Sequence, residues 1–314
     1  MVKNLLLKIN MNNVYICVDA GGTTSKAAIF DELGNIISRG KSLSGSPAVS
    51  FDKWYLHIDE AVEDALKNLS TEVNVLKIVM GVSGLSAKKE TIFEKKYFTE
   101  KYHVPCIIVS DTLTALYSVI KENDEQGIIV ISGTGIAIFG KNGAETAMTG
   151  GWGHIIRELG SAYSSVHDFC VNIINKYESQ IEFNELEHKF LDKYNYTNVR
   201  QFNHLFYNNT KDEIAKLSLF FKEEAKNNNI HAKKFLYEQG VLLAQQTENL
   251  MNLLSLPNNV TIGLTGGFIE HDGEDIVRGF KEYLENKKIY LNYNNEHNEQ
   301  LIGVYRLAKK GDIC

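Results

Sequence analysis

Two similar glycine-containing segments constrain the fold of this chain more than any other feature of its sequence. The first, residues 14–31, has apolar stretches on both sides of Asp19-Ala-Gly-Gly-Thr-Thr-Ser25, and the second, residues 127–139, has them around Ser132-Gly-Thr-Gly135. β-branched and aromatic residues beside a glycine turn predict a β-hairpin. In both segments a polar turn follows and leads to a third strand-like stretch. The repetition predicts an internal duplication, with one three-stranded meander in each half.

The spacing of apolar residues extends this prediction to the whole chain. With 314 residues, the chain is long enough for two domains of about 150 residues each. The first half shows the order βββαβαβα, which is typical of a meander followed by parallel crossover units. The second half repeats the meander, and a long helical region then precedes a late strand. We therefore predict an α/β fold of two duplicated domains, residues 1–117 joined by a C-terminal helix in 297–314, and residues 118–296 with a helical insertion.

Charge and composition limit the partners of the protein. A net charge of −6 argues against binding to nucleic acid or to an anionic membrane. No apolar run approaches the ~20 residues of a membrane-spanning helix, and the first ten residues hold too short an apolar run for a signal peptide. The four cysteines show no C-x-x-C spacing, which argues against a zinc or iron–sulfur site. We predict a cytoplasmic protein with neither nucleic acid nor membrane as a partner.

The two glycine turns are candidate phosphate sites. Glycine allows the backbone to approach an anion closely with its N–H groups, and threonine adds a hydroxyl donor. Hairpins from two duplicated domains could bind a polyphosphate from both sides, whereas a purely structural role for both turns is the alternative. Asp19 is placed at the end of its strand to hold Mg²⁺, directly or through water. The candidate phosphate ligands are Gly21, Gly22, Thr23, Thr24, Gly133, Thr134 and Gly135.

Two further positions follow predicted strands. Asp111 lies where a strand ends and a helix begins, which is the usual location of ligand chemistry in open α/β sheets. It is a candidate general base that accepts the proton of an attacking hydroxyl in phosphoryl transfer, and it could also serve as a helix N-cap. Gly266 and Gly267 follow a late apolar strand and precede a helix. They are suited to receive a nucleotide base or ribose against bare backbone.

A tryptophan between glycines joins the second meander to the helical region. The segment Gly151-Trp152-Gly153 offers a flat apolar ring beside accessible backbone groups, which suits a sugar with many hydroxyls. The alternative is a tryptophan that packs at a domain junction. His154, which follows, is predicted to be structural.

Taken together and in this order, the motifs resemble those of the N-acetylglucosamine kinases. These kinases are grouped with the ATPases that activate benzoyl-CoA reductase and 2-hydroxyglutaryl-CoA dehydratase, inside the superfamily of sugar kinases, heat-shock chaperones and actin. The resemblance implies two ribonuclease-H-like domains of the actin-like ATPase type, with ATP in a cleft between them, and it implies a homodimer. It implies the following roles: Thr23 and Thr134 at the phosphates, Gly267 near the nucleoside, Asp111 as the base, and Gly151, Trp152 and Gly153 at the sugar.

The chain departs from the family pattern in the region expected to bind the sugar. Glu158 stands where the family has a sugar-binding aspartate, and Arg157 precedes it. Ser46, or one of its neighbours Ser44 and Gly45, stands where the family has an asparagine on the sugar. Arg157 could recognise the lactyl carboxylate of a muramic-type sugar, because a guanidinium forms two parallel hydrogen bonds with a carboxylate. The alternative is an Arg157–Glu158 surface pair or an interdomain contact.

These observations predict an ATP-dependent kinase, with Mg²⁺, of the 6-hydroxyl of an amino sugar. The candidate substrates are N-acetylglucosamine, glucosamine and N-acetylmuramic acid. One alternative is an ATPase that activates a CoA dehydratase or reductase, which would need an exposed cysteine ligand for an iron–sulfur cluster. Another is a sugar or nucleotide sensor without turnover.

Overall fold

The chain folds into two compact units. The computed structural model describes residues 12–310 except 86, 87, 89, 122, 271, 272, 290, 291 and 294–299. Unit 1 comprises the described residues within 1–124 and 296–314, and unit 2 comprises those within 125–295. Parts of the predicted C-terminal segment, residues 297–299 and 311–314, lie outside the described residues.

Unit 1 contains one mixed sheet. Its strands are β1 (Asn12–Ala20), β2 (Thr24–Asp31), β3 (Ile36–Leu43), β4 (Val73–Val82) and β5 (Cys106–Ser110). They lie in the order β3-β2-β1-β4-β5, with antiparallel pairing in the meander and parallel pairing from β1 to β4 and from β4 to β5. The carboxyl ends of β1, β4 and β5 therefore lie at the same edge of the sheet.

Unit 2 repeats this arrangement strand for strand. Its strands are β6 (Gln126–Ser132), β7 (Ile136–Asn142), β8 (Glu145–Gly150), β9 (Thr261–Thr265) and β10 (Asn292–Tyr293). They lie in the order β8-β7-β6-β9-β10, again antiparallel within the meander and parallel beyond it. The two hairpin turns differ in length, because residues 21–24 separate the paired residues Ala20 and Ser25, whereas only residues 133–135 separate Ser132 and Ile136. The predicted duplication and α/β fold are confirmed.

Helices cover the sheets and fill the second half of the chain. In chain order they are α1 (Trp54–Lys67), α2 (Ile92–Tyr102), α3 (Asp111–Val119), α4 (Ala162–Glu178), α5 (Glu185–Lys193), α6 (Phe202–Asn208), α7 (Lys211–Lys216), α8 (Leu219–Lys226), α9 (Ile230–Leu253), α10 (Gly267–Glu270), α11 (Glu274–Asn286) and α12 (Gln300–Lys309). None of the helices in the described ranges is long and apolar enough to cross a membrane.

The pleat of the first hairpin explains why two layers of helix cover the sheet of unit 1. Alternate residues of β1, among them Ile16 and Val18, are fully buried in the cluster that includes Trp54 and Ile58 of α1. The ring of Phe30 on the neighbouring strand stacks on Tyr305 of α12, with 4.8 Å between the ring centroids. Both faces of the sheet are thus buried, and this accounts for the nearly continuous apolar runs in its central strands.

Candidate active site

Three residues with polar side chains lie at the carboxyl ends of the parallel strands in unit 1. Asp19 is the next-to-last residue of β1, Ser83 directly follows β4, and Asp111 directly follows β5. Adjacent parallel strands end side by side, and the register pairs Asp19 with Gly81 and Val82 with Ser110. The fold therefore brings together two of the predicted site residues, Asp19 and Asp111, and adds Ser83, which the sequence did not single out.

Asp19 is half-buried and its charge is only partly compensated. Burial raises the pKa of its carboxyl group from 3.8 to about 6, the positive charge of Lys26 lowers it, and the negative charge of Asp111 raises it further. With the amide of Gln300 turned so that its nitrogen faces the carboxylate, Gln300 donates to Asp19 Oδ2 (2.8 Å) and Oδ1 (3.3 Å). Gln300 begins α12, so the C-terminal helix reaches the predicted metal ligand.

Asp111 is positioned by the start of α3, although it is not the N-cap. Ser110 is the N-cap, and its hydroxyl accepts from the backbone N–H of Leu113. Asp111 is the first helical residue, and its Oδ1 accepts from the N–H of Thr112 at 2.9 Å. Burial raises the pKa of the Asp111 carboxyl group, while hydrogen bonds from Ser83 and Thr112 lower it. The possible capping role of Asp111 is wrong, because Ser110 supplies that hydrogen bond.

The first hairpin turn packs against the loop that contains Ser46. The N–H of Gly21 donates to the carbonyl of Thr24 (2.9 Å), and the Ser44 hydroxyl donates to the carbonyl of Gly21 (3.2 Å). Ser46 is buried, and its Oγ lies 2.7 Å from the place where a Cβ on Gly84 would stand. Gly22, Thr23 and Thr24 are exposed and accessible to a ligand.

The second hairpin turn is held by the start of α4. Gly133 donates to the carbonyl of Gly135 (2.9 Å), which mirrors the hydrogen bond across the first turn. The N–H groups of Ala162 and Tyr163 donate to the carbonyls of Gly133 (2.9 Å) and Thr134 (3.3 Å). The first N–H groups of this helix are thus used to fix the turn.

The predicted nucleoside glycines lie beside the same hairpin. Gly266 has a positive φ of 107°, and a Cβ there would stand 2.4 Å from the carbonyl oxygen of Ser132, so the position requires glycine. Lys222 of α8 is buried and donates to the carbonyl of Gly267 at 3.0 Å. Lys222 also lines a cavity of about 470 Å³ between α8, α9 and α11, together with Lys226, Lys233, Glu274, Asp275 and Arg278.

Glu158 lies against the second hairpin turn and forms an ion pair with Lys211, for which no sequence motif indicated a role. Its Oε1 accepts from Lys211 Nζ at 2.7 Å, and its Oε2 accepts from the hydroxyl of Ser161, the N-cap of α4. A Cβ on Gly135 would lie 2.7 Å from both Glu158 Oε1 and Lys211 Nζ. The alternative of an Arg157–Glu158 surface pair is wrong, because Glu158 is buried and its ion-pair partner is Lys211. Arg157 is exposed.

The loop around Trp152 is exposed. Gly151 and Gly153 have positive φ values of 71° and 83°, so glycines on both sides of the tryptophan allow its sharp bends. Trp152 is 63% exposed, and its neighbours Ile155 and Ile156 are exposed as well. The ring of His154 instead packs on Tyr163, with 5.0 Å between the ring centroids. The tryptophan ring is accessible to a ligand within unit 2.

The described residues fit a magnesium site better than a metal site made wholly of protein ligands. No group of three or more His, Cys, Asp or Glu side chains in the described part of the chain could hold a metal ion. Magnesium is usually bound by one or two carboxylates together with water and substrate phosphates. Asp19, half-buried and close enough to Asp111 for their charges to interact, matches that donor set.

The cysteines of the described residues do not resemble cluster ligands. Cys17 and Cys170 are buried, and Cys106 is half-buried. Burial raises the pKa of the Cys106 thiol to about 12 and raises those of the other two. Cys314 lies outside the described residues.

Comparison with known proteins finds similarity to one family over most of the chain. The family model of the BadF/BadG/BcrA/BcrD ATPases matches residues 16–305. The chain is 27% identical to the N-acetylmuramic acid/N-acetylglucosamine kinase of Clostridium acetobutylicum, over 69% of this chain and 70% of that one. It is 24% identical to the N-acetyl-D-glucosamine kinase of Dictyostelium discoideum, over 90% and 92% of the two chains.

The fold is shared with a solved structure of low sequence similarity. A Chromobacterium violaceum protein provisionally assigned as an N-acetylglucosamine kinase superposes with a TM-score of 0.64 at 15% identity, covering 95% of this chain and 99% of that one. The prediction of the actin-like ATPase fold is confirmed, and the predicted resemblance to N-acetylglucosamine kinases is confirmed by the named relatives.

Proposed function

This chain belongs to the BadF/BadG/BcrA/BcrD ATPase family, and we propose that it is an ATP-dependent kinase of an amino sugar. The substrate is N-acetylglucosamine or N-acetylmuramic acid, the sugars in the names of its two relatives, and the acceptor is the 6-hydroxyl. Mg²⁺ accompanies ATP. The observation that carries the proposal is the placement of two interacting carboxylates, Asp19 and Asp111, at the carboxyl ends of parallel strands.

Asp111 is the general base in this proposal. Phosphoryl transfer needs a positioned acceptor hydroxyl and a group that takes its proton. The burial of Asp111 raises the pKa of its carboxyl group, which strengthens it as a proton acceptor at neutral pH. Hydrogen bonds from Ser83 and from the N–H of Thr112 orient the carboxylate toward one fixed position.

Asp19 and the two glycine turns are assigned to the phosphates. Asp19 would hold Mg²⁺, which supplies positive charge against the phosphate oxygens. Thr23 and Thr24 are exposed beside Gly22, and Thr134 lies in the second turn, so their hydroxyl and N–H groups are the proposed donors to phosphate. Binding of a cation would offset the effect of burial on the pKa of Asp19, because an opposite charge favours the ionised carboxylate.

The nucleoside is assigned to Gly266 and Gly267 and to the cavity that Lys222 lines. The contact of Gly266 with the backbone of Ser132 leaves no room for a side chain, and Lys222 ties Gly267 to α8. The cavity has lysines, an arginine and two carboxylates around it, which offer hydrogen-bonding partners to a ribose and a base.

In unit 1, Ser46 and Asp111 are the proposed sugar ligands. In unit 2, Gly151, Trp152 and Gly153 are the proposed sugar ligands. The exposed ring of Trp152 supplies an apolar face for the sugar ring. Arg157, exposed and without Glu158 as its partner, is the proposed ligand for the lactyl carboxylate of N-acetylmuramic acid. A cytoplasmic location and a homodimer remain predictions.

An ADP-release assay over a panel of amino sugars tests the proposal. We expect turnover only in the presence of N-acetylglucosamine or N-acetylmuramic acid, and phosphorus-coupled NMR should place the phosphate on the 6-oxygen. Sugar-independent hydrolysis would instead favour an activator ATPase, and binding of sugar or nucleotide without turnover would favour a sensor.

Asp111→Asn tests the base assignment. Because a general base contributes about 10² to 10⁴ in rate, we expect kcat to fall by that factor while the Kd of ATP stays within about twofold. Asp52→Asn, at an exposed aspartate of the same unit, is the matched control and should keep the wild-type rate. Retention of wild-type kcat by Asp111→Asn would remove Asp111 from the mechanism.

A further inference from the structure

Lys211 places a positive charge directly against the second hairpin turn. It is the first residue of α7, whose N-cap Thr210 shares reciprocal hydrogen bonds with Glu213. Its Nζ stands 2.7 Å from the place where a Cβ on Gly135 would be. A lysine ammonium that fills the space beside a glycine of the proposed phosphate-binding turn is close enough to reach an anion held by that turn.

Glu158 fixes the position of this ammonium. The carboxylate of Glu158 is nearly buried, and it accepts from Lys211 through Oε1 and from Ser161 through Oε2. Ser161 caps the helix whose first N–H groups hold the carbonyls of the turn. The turn, the helix cap and the ion pair therefore form one connected hydrogen-bonded network.

The ion pair leaves donors on the lysine for a ligand. An ammonium has three hydrogen-bond donors, and the contacts described for Lys211 use one of them, toward Glu158. A partly buried ion pair gives little net stability, because the cost of removing both charges from water offsets their attraction. Stability alone is therefore a weak physical reason for an ion pair at this turn.

We propose that Lys211 binds the terminal phosphate of ATP and that Glu158 is the positioning residue that holds Lys211 against Gly135. This inference rests on the proposed function only in assigning the second turn to the phosphates of ATP. It changes the role predicted for Glu158, which acts on the lysine and not on the sugar.

A contact with the terminal phosphate predicts a difference between ATP and ADP. ADP lacks that phosphate, so removal of the ammonium should weaken the binding of ATP more than the binding of ADP. A hydrogen bond between two charged groups is stronger than one between neutral groups. We therefore expect Lys211→Met to raise the Kd of ATP about tenfold and to leave the Kd of ADP within about twofold. Lys211→Arg keeps the charge and should keep the wild-type ratio of the two constants.

Calorimetric titration with Mg²⁺-ATP and Mg²⁺-ADP, without sugar, measures both constants. Lys216→Met is the matched control, because Lys216 is an exposed lysine at the other end of the same helix, and it should leave both constants unchanged. Thermal unfolding of each variant is recorded alongside. If Lys211→Met does not fold, Lys211→Gln retains a donor toward Glu158 without the charge and gives the same test.

Glu158→Gln separates positioning from sugar binding. If Glu158 acts through Lys211, the Glu158→Gln variant binds ATP more weakly relative to ADP than the wild type does. The double variant with Lys211→Met then binds ATP no more weakly than Lys211→Met alone. If Glu158 contacts the sugar, its loss raises the KM of the sugar and leaves the ratio of nucleotide constants unchanged.

The outcomes distinguish this inference from the proposed function. A wild-type protein that binds ATP but phosphorylates no sugar would contradict the kinase proposal and leave the ATP-to-ADP comparison intact. Equal weakening of ATP and ADP in Lys211→Met, or no weakening of either, would overturn the role of Lys211. A wild-type protein that binds neither nucleotide would overturn both.

Discussion

At the scale of single residues, the candidate site depends on two carboxylates that burial makes harder to ionise. Asp19 lies in β1 and Asp111 begins α3, yet the negative charge of Asp111 raises the pKa of Asp19. Lys26 and Gln300 compensate Asp19, whereas Ser83 and Thr112 compensate Asp111. Residues of this kind usually cost stability in the absence of ligand and serve function in its presence.

Asp19→Asn tests this balance through the pH dependence of stability. In the unfolded chain Asp19 loses its proton near pH 4, whereas in the folded protein its pKa is about 6. The folded state therefore binds more protons between these values, and stability falls as the pH rises through that window. Without Mg²⁺ or nucleotide, we expect Asp19→Asn to be about 1–3 kcal/mol more stable than the wild type at pH 8 and equal to it at pH 4.

Urea unfolding at the two pH values measures this difference, and Asp52→Asn serves as the exposed control. A variant that is less stable than the wild type at pH 8 would show that the carboxylate of Asp19 is well compensated without metal. Kinase activity of Asp19→Asn should be lost at both pH values, because asparagine carries no charge to hold Mg²⁺.

At the scale of elements, glycines allow close contact between backbones. Gly240 of α9 and Gly279 of α11 face each other's helices: a Cβ on Gly240 would stand 1.9 Å from the carbonyl oxygen of Ile276, and one on Gly279 would stand 2.1 Å from that of Tyr237. The two helices therefore pack backbone to backbone, and this contact supports the helical side of unit 2. Helix propensity alone would favour alanine at both positions.

The substitution Gly240→Ala increases helix propensity but places a methyl group between two closely packed helices. Alanine gains up to about 1 kcal/mol from helix propensity, but a methyl group forced between the helices costs about 1–3 kcal/mol and more where the backbone cannot move. We expect a net loss of stability, measured as a lower urea midpoint. Gly22→Ala, where nothing lies within 4 Å of the new methyl group, is the steric control and should unfold at the wild-type midpoint. A stabilised Gly240→Ala variant would contradict the close helix contact.

At the scale of the whole molecule, unit 1 is built from two distant parts of the chain. The helix α12 returns to unit 1 after the whole of unit 2 and buries Leu301, Val304 and Leu307. Arg306 Nη1 donates to the carbonyls of Tyr117, Ser118 and Ile120, at 3.0, 3.0 and 2.9 Å. These carbonyls lie at the end of α3, where a cation is favoured by the helix dipole.

Arg306→Met should therefore affect the two units differently. It leaves three carbonyl groups without their charged donor, so we expect a loss of about 1–3 kcal/mol from unit 1. Hydrogen exchange should become faster in α3 and β1, while α9 and α11 of unit 2 keep their protection. Lys309→Met, which removes one exposed contact of the same helix with the carbonyl of Glu32, is the control. Equal acceleration in both units would show that they unfold as a single body.

The sequence by itself determined the repeated meander, the order of strands and helices, and the candidate turns at Gly21 and Gly133. These features are local, because strand alternation, helical spacing and glycine turns are recorded in neighbouring residues and appear twice in this chain. The long helical region predicted before the late strand contains the longest of the described helices, α9.

Only the tertiary structure decided which side chains meet at the site. Lys211 reaches Glu158 across 53 residues, and Gln300 reaches Asp19 from the last helix, with no local pattern to indicate either contact. The N-cap of α3 is Ser110 and not Asp111, because the helix already begins at Asp111. Ion-pair partners are chosen by the packing of distant elements, and a single sequence records the side chains of those elements without recording which of them come into contact.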